Sequence, residues 1–217
     1  MPTHTDGDGT LWQGNYIMDN VMPLLDRKDR LSGTTMYIEY STACHRAAKR
    51  ARTVDDLIEK VTEAELKYMQ NGAGLLKGKS VSILTRGIHR PNRAVVDIAY
   101  RSVNNGGLVI MSAEDERTVD SFAASVNLKG YTKVCSHLCE ENETLIGSFD
   151  KIVTTRTKTD AYKGGNVYEN GINGAGVIAK AIGAGCEANI CGNDETLMTA
   201  LTNLNLLKRV KFIGKPF

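Results

Sequence analysis

Gly78-Lys79-Ser80-Val81-Ser82-Ile83-Leu84-Thr85-Arg86-Gly87 is the stretch on which the fold turns. Upstream of it the apolar residues recur at helical spacing. Val54, Leu57, Ile58, Val61, Leu66 and Met69 share one face, and Thr53 ahead of Asp55 and Asp56 supplies an N-cap. Residues 34–52 and 54–76 therefore read as two helices, and 15–25 as a shorter helical turn limited by Pro23. Past Lys77-Gly78-Lys79 the pattern changes to short apolar runs alternating with helical stretches, the signature of a parallel α/β sheet. Strands are expected at 81–85, 108–111, 133–135, 151–154, 188–191 and 209–213. Helices are expected at 93–103, 118–128, near 143–146, at 174–184 and at 195–203, with 160–173 a loop. The fold class is α/β, a parallel sheet preceded by a helical N-terminal part. It divides into a flexible polar leader (1–14), the helical part (15–77) and the α/β domain (78–217).

The charge balance, 27 Lys+Arg against 25 Asp+Glu, leaves no basic field for direct nucleic-acid binding. The most apolar stretch, residues 176–185, is interrupted by Lys180 and is too short to span a bilayer, so no membrane contact is expected. Five cysteines, an odd number with no C-x-x-C pair and no signal-peptide pattern upstream, predict reduced thiols and a cytoplasmic location.

Ligands in open parallel sheets sit beyond the carboxyl ends of the strands. On this reading the rim is Thr85-Arg86-Gly87-Ile88-His89, then Ser112 to Arg117, then Thr155-Arg156, with Asp160 close behind. Arg86 and Arg117 offer planar donor forks for a phosphorylated small molecule, and Asp160 could accept from sugar hydroxyls. Such a rim is equally what any solvated sheet presents. The Gly171–Gly176 run opens a helix at Gly174 and Ala175, whose N–H groups could hold an anion; small residues there would also let the helix approach the sheet. His89 is a weak acid–base candidate. Cys135, His137 and Cys139 have no second ligand cluster, so no metal is expected, and no cofactor.

Four segments in order resemble the regulatory alpha, beta and delta subunits of translation initiation factor 2B and their methylthioribose-1-phosphate and ribose-1,5-bisphosphate isomerase relatives. Residues 78–87 are similar to that family's first strand, 109–114 to its second strand and turn, and 150–153 to its Asp-Lys strand. Asp160-Ala161 and the Asn170–Gly174 entry to the following helix resemble its later turn and helix. The resemblance spans about residues 78–192 and implies a Rossmann-like sheet. It places Thr85, Arg86, Gly87, Arg117, Asn170, Gly174 and Ala175 around an anionic small molecule, and Asp160 at the acid–base position. The isomerases' cysteine position is Gly87. The implied function is therefore non-catalytic, in translation regulation, as a homodimer or a heteromer with related subunits. The alternatives are a sugar-phosphate isomerase using Asp160, or a freestanding nucleotide or sugar-phosphate binder.

Overall fold

The computed structural model describes residues 1–87 and 90–213. Its centre is a seven-stranded sheet in the order β4-β3-β2-β1-β5-β6-β7. The strands are β1 (Thr3–Thr5), β2 (Leu108–Asp115), β3 (Thr132–Glu141), β4 (Thr144–Lys151), β5 (Asn166–Glu169), β6 (Ala188–Ile190) and β7 (Lys211–Phe212). All neighbours are parallel except β3 and β4, which form an antiparallel hairpin at one edge. The chain thus has the expected Rossmann-like parallel sheet with a helical part in its N-terminal third.

The segment expected to be a loose leader is the middle of that sheet. Thr3 pairs with Leu108 on one side and Asn166 on the other, and Leu11 and Trp12 just beyond are buried. Polar composition misleads here because a strand buried on both edges can be short, and β-branched Thr3 and Thr5 suit it as well as Val would. Residues 81–85 depart in the opposite sense. Val81–Leu84 is a single 3₁₀ turn capped by Ser80, since a short apolar run carries no period that separates strand from helix.

Between β1 and β2 the chain inserts two long helices, α1 (Arg27–Arg50) and α2 (Val54–Leu76), and then α3 (Arg93–Asn104). Thr53 caps α2 as its sequence predicts, its hydroxyl accepting from Asp56 N–H at 3.1 Å. The α1–α2 hairpin packs Cys44, Ala47, Ala48, Leu57 and Val61 against Ile178, Ala181, Leu197 and Leu201 of α6 (Ala175–Gly183) and α7 (Glu195–Asn203). On the other face α3 and α4 (Glu116–Ser125) bury Val95, Val96, Val119 and Phe122 against Trp12, Leu108 and Ile110. The expected short helix at 143–146 is instead the start of β4. Asn142 and Glu143, at φ 50° and 60°, form the two-residue turn that lets β3 fold back antiparallel. The expected loop at 160–173 contains the end of α5 (Thr155–Ala161) and the whole of β5. Among the described residues no helix is long and apolar enough to cross a membrane.

Candidate functional site

The carboxyl ends of β1, β2 and β5 bring together Asp6, Asp8, Ser112, Glu114 and Glu169, and α5 delivers Lys158 beneath them. Asp6 directly follows β1, and its own N–H donates to the carbonyl of Tyr168 at 3.1 Å, so its position is an extension of the sheet register. One of its carboxylate oxygens lies 2.8 Å from Lys158 Nζ and also accepts from Gly7 N–H at 2.8 Å. Both side chains are buried. Burial opposes the Lys158 charge, but the carboxylates of Asp6, Glu169 and Glu65 outweigh it and hold the ammonium above its ordinary range. Gly7 is needed for close approach: a Cβ there would strike the Trp12 ring and lie 2.9 Å from Ser112 Oγ.

Two positions on, Asp8 sits in a different environment. Its carboxylate accepts from Trp12 Nε1–H and from Tyr16 N–H at 3.1 Å, and it shares a hydrogen bond with Glu114. Burial raises Asp8 to about 6 against the opposing pull of these donors. Burial beside Asp8 lifts Glu114 well above the usual carboxylate range, so Glu114 is the neutral partner that donates to Asp8.

Glu169 ends β5 beside Asp6. Its carboxylate packs on Gly174, where a Cβ would stand 2.5 Å from Oε2. Both its oxygens are buried without a hydrogen-bond partner, as are Oδ1 of Asn170 and Oδ1 of Asn173. Burial pushes Glu169 well above its ordinary value, opposed by Lys158 and reinforced by Asp6. An oxygen-only set of Asp6, Glu169 and Asn170 with unsatisfied acceptors suits a hard divalent cation, which takes one or two carboxylates and fills its remaining positions with water and substrate. Among the described residues no three His, Cys, Asp or Glu side chains converge as a complete metal cage.

Above these groups lies a cavity of ≈ 510 Å³, roofed by α1 and α2 and floored by the strand ends. Glu65 of α2 reaches into it. Its Oε2 accepts from Thr155 N–H at 2.7 Å, Oε1 has no partner, and burial raises its carboxyl to about 7.

Of the residues singled out from the sequence, Asn170 lines this cavity, while Gly174 and Ala175 lie buried behind Glu169. Arg117 is committed elsewhere, donating to Asp115, Glu140 and the Leu138 carbonyl. Thr85 and Arg86 are exposed beyond the 3₁₀ turn, and Gly87 N–H donates to Tyr16 Oη at 2.9 Å. Asp160 is exposed near the end of α5, two positions after Lys158, and does not line the cavity. His89 lies outside the described residues. Glu114 lies within the rim read from Ser112 to Arg117, whereas Asp6, Asp8, Lys158 and Glu169 were missed. The available signal was Asp6-Gly7-Asp8-Gly9-Thr10, two carboxylates separated by a single glycine directly after Thr3-His4-Thr5.

No protein-family profile and no curated protein sequence matches the chain. Solved structures do. A phosphoserine phosphatase carrying an analogue of a phospho-aspartyl intermediate is 13% identical with a TM-score of 0.58, over 97% of this chain and 90% of that one. Cytosolic 5'-nucleotidase IIIB bound to cytidine is 11% identical with a TM-score of 0.62, over 100% of this chain and 81% of its own. A HAD-family hydrolase from Salmonella enterica serovar Typhi is 11% identical with a TM-score of 0.59, over 99% and 67%. These likenesses overturn the resemblance to the initiation factor 2B subunits and their isomerase relatives. The physical reason is local: residues 78–87, matched to that family's first strand, are a 3₁₀ turn and its flanks, and the strand that opens this sheet is Thr3–Thr5. The non-catalytic regulatory role, the lean away from an enzyme, the isomerase and the freestanding binder fall with the resemblance. The chain has the fold of the HAD-family hydrolases, with its carboxylates gathered where the central strands end.

Proposed function

We propose that the protein hydrolyses phosphomonoesters through a covalent phosphoryl group on Asp6. The observation that carries this reading is the buried Asp6–Lys158 pair at the end of the central strand, with the Asp8 carboxyl held near neutrality two residues on. The fold neighbours give it support, since they include phosphatases and one was captured with a phospho-aspartyl analogue.

In the first half-reaction an Asp6 oxygen attacks phosphorus. An aspartyl O–P bond forms, the ester P–O bond breaks, and the departing alkoxide takes, through Asp8, the proton that Asp8 shares with Glu114. In the second half-reaction Asp8, now a carboxylate, takes a proton from water as the water oxygen attacks phosphorus. The Asp6–phosphorus bond then breaks and inorganic phosphate leaves. A carboxyl near 6 can serve in both directions around neutral pH, whereas an ordinary aspartate would be a poor acid there. Lys158 stays protonated and offsets the charge gathered on Asp6 and the phosphoryl oxygens. The Ser112 hydroxyl, buried beside Gly7, stands as a neutral donor to the same oxygens. Asp6, Glu169 and Asn170 would hold a divalent cation such as Mg²⁺, which when bound neutralises phosphoryl charge.

The test is hydrolysis of p-nitrophenyl phosphate by the whole chain with Mg²⁺, together with acid quenching and peptide mass analysis. The expected result is turnover that Asp6→Asn abolishes and a phosphoryl adduct on the Asp6 peptide. Undiminished turnover in Asp6→Asn would overturn the reading.

A further inference from the structure

Among the described residues lining the cavity there is no Lys, Arg or His, whereas six are carboxylic acids. The nearby cations are already engaged: Lys158 by Asp6, and Arg117 by Asp115, Glu140 and the Leu138 carbonyl. Glu65 is 3% exposed and turns an unpartnered oxygen into the cavity, close enough to Asp6 and Lys158 to feel their charges. The same cavity has an aromatic wall. Tyr40 and Tyr68 stack at 4.9 Å and 18°, and Tyr37 meets Tyr68 edge-on at 6.2 Å. All three are half-buried. Phenol rings beside carboxylates attract an organic cation. The rings alone would also accept a neutral base, but the unpartnered Glu65 oxygen and the absence of a basic side chain favour the cation.

We propose that this site selects phosphomonoesters of short amino alcohols, whose organic half carries an ammonium group and no second anion. The proposal rests on the phosphomonoesterase reading. The phosphate would lie at Asp6 and Lys158, with the ammonium held between Glu65 and the tyrosine wall. A substrate carboxylate or second phosphate would meet six carboxylic acids and, among the described lining residues, no basic side chain to offset it. Phosphoserine, after which several fold neighbours are named, would therefore be a poor substrate of this chain.

O-Phosphoethanolamine and O-phosphoserine differ by one carboxylate and make the test. The expected result is a kcat/KM at least about tenfold higher for phosphoethanolamine. Calorimetry on the Asp6→Asn variant should give the same order of affinity without relying on turnover. Glu65→Gln should narrow the ratio between the two esters, whereas a purely structural role would lower both alike. Equal or better use of phosphoserine, or of cytidine monophosphate, while p-nitrophenyl phosphate is turned over would overturn this inference and leave the phosphatase reading standing. No turnover of any ester and no binding to Asp6→Asn would overturn both.

Discussion

Two carboxylate pairs stand side by side at the strand ends, and the protein treats them in opposite ways. Asp6 faces a buried ammonium, so its charge is met by Lys158, and burial pushes Glu169 beside it towards the neutral form against the pull of the same ammonium. Asp8 and Glu114 have no such ammonium, and their repulsion is relieved by a shared proton. One aspartate is thereby held with its negative charge compensated by Lys158, while the other, two residues away, shares a proton with Glu114, the two states the proposed reaction needs. Glycine at position 7 lets the backbone turn between the two surroundings without a side chain entering either.

The sharpest way to break this contrast is Asp6→Asn, which removes the oxygen proposed to attack and leaves the Asp8 pair in place. Turnover of p-nitrophenyl phosphate should fall at least about 10³-fold. Lys158→Met strikes the same pair through its cation. With Asp6, Glu169 and Glu65 left without their ammonium, denaturant unfolding at pH 7.5 should show a loss of about 3–5 kcal/mol.

Glu65 joins the comparison through pH. Its carboxyl is raised from 4.5 to about 7 in the fold, so the neutral form is the one the native state favours. The stability this confers is fully present below the unfolded value and is lost as pH rises through about 7. It amounts to at most about 3 kcal/mol. Unfolding curves between pH 4.5 and 8.5 should show this decline, and Glu65→Gln should flatten it. The smallest effect belongs to the second pair. Glu114→Leu keeps Asp8 buried but removes its donor, so the limb of the pH–rate profile near 6 should move upward by about one unit. Glu114→Gln, which retains a donor, should leave that limb in place.

How much of this was legible in sequence follows from which forces shape each segment. Helices α2 and α7 could be read closely because an apolar stripe at period 3.6 and a capping Thr53 or Asp194 are local signals. The rule that ligands gather at the carboxyl ends of parallel strands was applied to Val81–Leu84, which is no strand, and so pointed away from the ends of β1 and β5. What stayed hidden was Thr3–Thr5. A three-residue strand between two partners needs no apolar alternation of its own, and His4 and Thr5 are buried by the pairing. Asp6 and Asp8 then looked like part of a soluble tail, although their proximity to Lys158 and Glu169 is a property of the closed sheet.

The same central strand has a consequence for how the molecule comes into being. Thr3–Thr5 leaves the ribosome before either partner, Leu108–Ile110 or Asn166–Tyr168, has been translated. The sheet therefore cannot close around its middle until β5 emerges, a pairing of long sequence separation that folds slowly. Meanwhile the α1–α2 hairpin can form from local contacts, leaving the opening peptide unpaired during synthesis. A deletion that trims the first six residues removes the keystone of the sheet and the carboxylate proposed to attack phosphorus together.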